Sequence, residues 1–282
     1  MIEVLSSGYF TTLQDAGRPG FRQFGVPLSG AMDKKAYDLA LALLPFKGDR
    51  CVFECTLIGP TLKIHQPTRF VLTGGEMECW LDDTPLKMNR VYRAEIGKVL
   101  KLGKSTLGIR TYLRFEAHLA VESYLNSVAF YTPITPVQQI KDRDQISFLN
   151  VPLRIEENPV HLNVDDSYLN ATELNVIAGT DWPLLNLDQQ NKLLTESHKI
   201  ISQNRMGYRL STALKIDAPN LLSQIVLPGT VQLTPGGQLL IATADCQVTG
   251  GYLQILQLHE NSLPRLVQKK EGQEITFESK LL

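Results

Sequence analysis

The sequence has no excess of charge of either sign: 28 Lys and Arg stand against 29 Asp and Glu, a formal net charge of −1 over 282 residues. It has no Lys/Arg run. A surface that holds nucleic acid or an anionic membrane needs a basic patch, so neither is an expected partner. Long apolar runs are missing too, and no uninterrupted apolar stretch is of a length to span a bilayer. The opening residues Met1-Ile2-Glu3-Val4-Leu5 lack the basic region and apolar run of a signal peptide. Cysteine is scarce: Cys51, Cys55, Cys79 and Cys246 form no CxxC pair and read as small buried hydrophobes in a reducing compartment. The five histidines, His65, His118, His161, His198 and His259, show no metal-ligand spacing, so no metal is expected. There is no Walker-type phosphate loop, which leaves nucleotide binding by this chain alone without support. Together these absences lead to the expectation of a soluble, cytoplasmic protein with ample core and no staples.

What is present is a short, dense stretch, Gln14-Asp15-Ala16-Gly17-Arg18-Pro19-Gly20-Phe21-Arg22. Gly and Pro mark a tightly turned backbone, and clustered polar side chains on such a backbone are how many binding loops are built. The stretch has an echo: Arg18-Pro19-Gly20-Phe21-Arg22 and Arg205-Met206-Gly207-Tyr208-Arg209 both read Arg-x-Gly-aromatic-Arg. Downstream, Gly59-Pro60-Thr61-Leu62-Lys63-Ile64 resembles Pro228-Gly229-Thr230-Val231-Gln232-Leu233. Each is followed by a turn and an apolar strand, nine positions after its Thr, starting at Phe70 and Leu239 (70 − 61 and 239 − 230). Recurrence in the same order predicts a diverged internal duplication, with halves at 1–158 and 159–282.

Short strands with turn residues between them dominate the pattern, at Thr61–Ile64, Phe70–Thr73, Glu78–Asp82, Val91–Ala94, Val99–Leu102 and 108–115, and a barrel or sandwich is expected. Ala36, Leu39, Ala40 and Leu43 form a helical stripe that predicts a helix from about Met32 to Leu44, capped by Ser29 or Asp33 and stopped by Pro45. A second, short helix is expected over 187–194 behind Asn186. Another strand is expected to start at Asn158-Pro159-Val160.

At this point the motifs identify a family. Thr12-Leu13-Gln14-Asp15-x-Gly17-Arg18-x-Gly20, Gly25-Val26-Pro27-x-Ser29-Gly30-x-Met32-Asp33, Glu54-x-x-x-x-Gly59-Pro60-Thr61 and Thr73-Gly74 resemble the third, or C, component of bacterial 5-oxoprolinase. They also resemble the carboxyltransferase part of urea amidolyase (allophanate hydrolase subunit 2). Gly179-x-Asp181, Asn204-Arg205-Met206-Gly207-Tyr208-Arg209-Leu210, Pro228-Gly229-x-Val231-Gln232 and Asp245-x-Gln247-x-Thr249-Gly250-Gly251-Tyr252 extend the resemblance over most of the chain. It implies a mainly β chain with a few helices, folded as two tandem cyclophilin-like β-barrel domains. It implies ATP-dependent opening of 5-oxoproline to L-glutamate, with ATP used at the level of a complex with partners like the A and B components of 5-oxoprolinase. In the urea branch it implies carboxyl transfer from biotin, and a third member type antagonises a sporulation-kinase inhibitor without catalysis. After Phe115 the resemblance departs: a Gly-Gly turn, a Gly-Ser-x-Ser-Thr stretch and a Gly-Gly-x-x-Gly-Arg loop are replaced by Glu116-Ala117-His118-Leu119-Ala120-Val121-Glu122-Ser123-Tyr124-Leu125 and a Pro-containing segment.

The candidate residues follow from chemistry. A guanidinium matches a carboxylate bidentately, so Arg18, Arg205 and Arg209 are candidates to bind a substrate carboxylate; alternatively each braces its own turn through backbone carbonyls. Gln14, Asn204 and Gln247 donate and accept, as recognition of a lactam or urea needs, and Asp15 joins them as a substrate-binding candidate. The candidate catalytic residues are Asp245, as base or orienting carboxylate in a Gly-rich loop, and Tyr208, as donor to an oxyanion or else a core side chain. Lys87-Met88 lacks the preceding Met of a biotin-acceptor sequence and reads as a strand edge.

Overall fold

Strands dominate the computed structural model, which describes residues 1–46, 50–149, 164–214, 216 and 222–279. The chain forms two units, Met1–Arg18 with Asp33–Leu169 and Pro19–Met32 with Asn170–Leu282. The expected boundary at 158/159 and the strand expected at Asn158-Pro159-Val160 lie outside the described residues.

The first unit contains β1 (Ile2–Ser6), β2 (Phe10–Gln14), α1 (Lys34–Leu43), β3 (Val52–Thr56), β4 (Thr61–Ile64), β5 (Thr68–Leu81), β6 (Thr84–Pro85), β7 (Val91–Ala94), β8 (Val99–Phe115), β9 (His118–Leu119), β10 (Gln145–Ile146) and β11 (Phe148–Leu149). Two pairs of expected strands are fused. Gly74 and Gly75 read as a strand end, yet β5 runs on through them, because β8 pairs along both halves with register shifts between Gly74 and Cys79. Such bulges bend a ladder without ending it. Helix α1 starts at Asp33 rather than Ser29, since the Asp33 carboxylate accepts from Ala36 N at 3.0 Å. It buries Ala36, Tyr37, Ala40 and Leu43, the stripe read from the sequence with Tyr37 in place of Leu39.

The main sheet of this unit runs β10-β1-β4-β8-β3-β2, with β5 branching from β8 and β6 and β7 pairing to β5. It does not close. The expectation of two tandem barrels is therefore corrected: the chain is mainly β with few helices, but only one barrel is closed among the described residues, and it is in the second unit. One physical reason is visible on β2, whose outer edge is taken by loop backbone. Leu13 O accepts from Phe130 N and Thr11 O from Ile140 N, both at 2.9 Å. The segment after Phe115, where the sequence departs from the family pattern, thus covers an edge that a closing strand would occupy.

The second unit contains β12 (Glu173–Ala178), α2 (Leu187–Thr195), β13 (His198–Gln203), β14 (Gly207–Ala213), β15 (Gln224–Ile225), β16 (Thr230–Leu233), β17 (Gln238–Ala242), β18 (Thr249–Gly250), β19 (Leu253–Leu258), α3 (Leu263–Val267) and β20 (Glu274–Ser279). Seven strands close in the order β12-β19-β16-β17-β14-β13-β20, and the parallel pair β20–β12 shuts the ring, with Leu174 opposite Phe277. Val176, Ile200, Tyr208, Leu210, Val231, Leu239, Ile241 and Ile255, all fully buried, belong to its core. The repeat seen in the sequence is not carried into pairing. Strands β16 and β17 are a hydrogen-bonded hairpin, whereas β4 pairs with β1 and β8.

Candidate functional site

The sequence-predicted residues fall into two sets, one in each unit. In the first unit, Gln14 ends β2 with its amide buried, donating to Thr12 Oγ1 at 3.0 Å and Phe130 O at 3.4 Å. Asp15 accepts from Gly17 N and Ser127 Oγ, both at 2.7 Å, and from Val128 N at 2.9 Å. Arg18 is fully buried and donates to Ala129 O. All three therefore bind residues 127–130, inside the segment that the family pattern does not predict. The same unit holds a buried polar network that the sequence did not disclose. Tyr168 donates to Asp33 Oδ2 and Tyr112 to Glu54 Oε2, each at 2.8 Å, while Tyr112 accepts from Asp33 N at 2.7 Å. Burial, and then the Glu54 and Asp33 charges, push the Tyr112 phenol well above its ordinary range, so it stays protonated and donates.

The two copies of the Arg-x-Gly-aromatic-Arg pattern take different backbones. Pro19-Gly20 is a turn leading to a short 3₁₀ helix at Arg22–Phe24, whereas Gly207 opens strand β14. Gly207 is required there by close approach: a Cβ would stand 2.8 Å from Ile241 O on β17. Arg22 donates to Val226 O. Arg205 and Asp245 are buried and face each other, Nε to Oδ2 at 2.7 Å and Nη2 to Oδ1 at 3.2 Å, while Nη2 also reaches Gly30 O at 2.7 Å. Backbone repeats the link, since Asp245 N donates to Arg205 O at 2.9 Å. Next to Asp245, the Cys246 thiol is pushed up to about 11, chiefly by burial and against the opposing Arg22 charge, so it is a thiol rather than a thiolate at neutral pH. Tyr208 points into the barrel, with its hydroxyl near Val267 O at 3.2 Å and Lys269 O at 3.3 Å.

Four of the predicted residues, Asn204, Tyr208, Arg209 and Gln247, come together around one cavity of about 250 Å³ against strands β14, β17 and β16. Asn204 Oδ1 is occupied by Met206 N at 2.8 Å and Gly207 N at 3.1 Å, an Asx turn that shapes the rim. Two further residues of this cavity, Ser202 and Gln232, were missed from the sequence. Gln232 was legible only as one letter of a family motif, although alternation with the buried Val231 assigns it to the opposite face of β16. None of the lining residues is acidic. The cavity thus offers a guanidinium, amide and hydroxyl donors and an apolar floor, a set suited to a small, acceptor-rich anion. Among the described residues no group of three His, Cys, Asp or Glu is arranged to hold a metal ion, and no helix is long and apolar enough to cross a membrane.

A barrel unit and an open-sheet unit with motifs spread along both define a class, the carboxyltransferase domain with its A and B subdomains; residues 24–279 match that family. The chain belongs to the family that joins biotin-dependent carboxyltransferases to the C component of 5-oxoprolinase. It is 30% identical to the C component of 5-oxoprolinase from Haemophilus influenzae, over 99% of this chain and 91% of that protein. The structure of the K. lactis urea amidolyase aligns with a TM-score of 0.86 and 26% identity over 98% of this chain, which spans only 18% of that one. TTHA0988 shares the fold, with a TM-score of 0.87 at 22% identity, and here the chain spans 55% of its length.

Proposed function

We propose that this chain is one component of an ATP-dependent, 5-oxoprolinase-like amidohydrolase that opens 5-oxoproline to L-glutamate together with partners like the A and B components of that enzyme. One observation carries the reading: the similarity to the Haemophilus influenzae protein runs end to end in both chains, whereas the urea amidolyase match covers a minor part of a much longer protein. The cavity on the barrel supports it, being small, free of acidic lining and rich in donors. A carboxyltransferase is the second reading, supported by the matched family description. It implies biotin, which would supply the transferred carboxyl group. The buried Gln232 Nε2, which has no partner, fits a ureido oxygen as well as a lactam oxygen.

The experiment is glutamate release from 5-oxoproline with ATP, measured for the chain alone, the partners alone and the reconstituted complex. Turnover is expected only in the complex. Turnover by the chain alone refutes the need for partners; an inert complex that consumes carboxybiotin with urea shifts the function to the second reading.

A further inference from the structure

We infer that the outer face of the closed barrel carries a groove for a small ligand bearing both a carboxylate and a carbonyl oxygen, in which Arg209 takes the carboxylate and Gln232 the carbonyl. The inference rests on the proposed function only in the choice of 5-oxoproline as probe; the groove itself is read from register, burial and an unpaired donor.

Register comes first. Ser202 on β13 is opposite Arg209 on β14, Arg209 is opposite Leu240 on β17, Leu240 is opposite Gln232 on β16, and Gln232 is opposite Gln254 on β19. Residues directly opposed in an antiparallel ladder share a face. The adjoining row, Tyr208, Ile241 and Val231, is fully buried in the barrel core, so the row with Arg209 and Gln232 lies on the outside. Leu240 separates the two polar ends. Their backbones stand two strand spacings apart, about 9–10 Å, which leaves a gap the size of a small ring once both side chains reach inward. The cavity of about 250 Å³ lies over these strands.

Its polar ends differ in kind. Arg209 is exposed and, among the described residues, makes no ion pair, so its fork is available to a carboxylate. Gln232 is 2% exposed, and its Nε2 has no hydrogen-bond partner. Gln247 donates to Gln232 Oε1 at 3.4 Å, which leaves the nitrogen as the unsatisfied end. Gly250 on β18 lets the loop close over this amide: a Cβ there would stand 3.2 Å from Gln232 Nε2 and 3.3 Å from Gln247 Nε2. A buried donor without an acceptor destabilises the folded chain, and a ligand oxygen arriving at Nε2 removes that penalty. Affinity and specificity for a carbonyl therefore concentrate at Gln232, while Arg209 supplies the charge.

The test is calorimetric titration of the full-length chain with three probes: 5-oxoproline, cyclopentanecarboxylate, which lacks the carbonyl, and 2-pyrrolidone, which lacks the carboxylate. Wild type is expected to bind 5-oxoproline more tightly than either half-ligand. Gln232→Met should weaken 5-oxoproline about tenfold or more and leave cyclopentanecarboxylate unchanged. Its melting temperature should stay equal or rise, because an unsatisfied polar group has been replaced by an apolar one of similar shape. Arg209→Gln should weaken both carboxylates and spare 2-pyrrolidone. Absence of binding by all three probes, or a Gln232→Met chain with intact affinity and a lowered melting temperature, overturns the groove. Turnover in the complex separates the two readings. Glutamate release with an unchanged KM in Gln232→Met keeps the proposed function and removes the groove, while binding to the chain without turnover in any complex keeps the groove and removes the proposed reaction.

Discussion

Arg205 and Asp245 show what a buried charge requires. Each is under a tenth exposed, and the two meet through paired hydrogen bonds, with Gly30 O taking a further donor of the guanidinium. The sequence offered Arg205 to a substrate carboxylate and Asp245 to catalysis; the geometry directs them at one another. Removing one partner of such a pair leaves the other charge buried without compensation, at a cost of about 3–5 kcal/mol, whereas replacing both with apolar residues costs far less. Arg205→Met and Asp245→Leu are therefore each expected to lower unfolding free energy by that order. The double variant should lose clearly less than the sum of the two. Strict additivity in denaturant titrations would show that the two side chains do not act as a pair.

Two helices start in the same way but in different surroundings. Helix α2 has a full capping box: Asn186 Oδ1 accepts from Gln189 N at 2.9 Å and Gln189 Oε1 accepts from Asn186 N at 2.8 Å, in solvent. Helix α1 is capped by Asp33, which is fully buried and also takes the Tyr168 hydroxyl. Asn186→Ala is expected to cost about 1 kcal/mol, the usual worth of a cap. Asp33→Ala removes a cap and also leaves the Tyr168 hydroxyl without its acceptor, adding about 1–3 kcal/mol. Chemical denaturation of the two variants checks the order. An Asp33→Ala loss no larger than that of Asn186→Ala removes the buried network from the account of stability. At this scale the sequence was informative: the helical stripe and caps depend on neighbours within a turn or two. Strand ends were less legible, because Gly74-Gly75 becomes a bulge only when β8 is present to pair across it.

At the scale of the whole molecule, segments distant in sequence make up one unit. Pro19–Met32 belongs to the unit formed by Asn170–Leu282. Met32 sits in that unit's core, Ser29 N donates to Ala244 O at 3.0 Å, and Arg205 holds Gly30 O. A fragment of residues 170–282 thus lacks part of its own core. A peptide of residues 19–32 is expected to raise the melting temperature of that fragment in a concentration-dependent way, because a ligand that binds only the folded form stabilises it by mass action. A melting curve indifferent to saturating peptide would mean that the barrel unit is complete without the segment.

Composition and local pattern by themselves determined that this chain is mainly β with few helices, that one helix follows a cap at Ser29 or Asp33 and another follows Asn186, and, through motifs such as Asn204-Arg205-Met206-Gly207-Tyr208-Arg209, which family it belongs to. These depend on residues close in sequence, or on short strings that survive as strings. Tertiary structure alone decided that one sheet closes and the other stays open, because closure depends on what occupies the edge of β2, and Phe130 and Ile140 reach it from more than a hundred positions away. It alone decided that Arg205 faces Asp245 and that Gln232 is buried in the same outer row as Arg209. Those placements are set by strand register across β14, β17 and β16, and register joins residues that no local pattern relates.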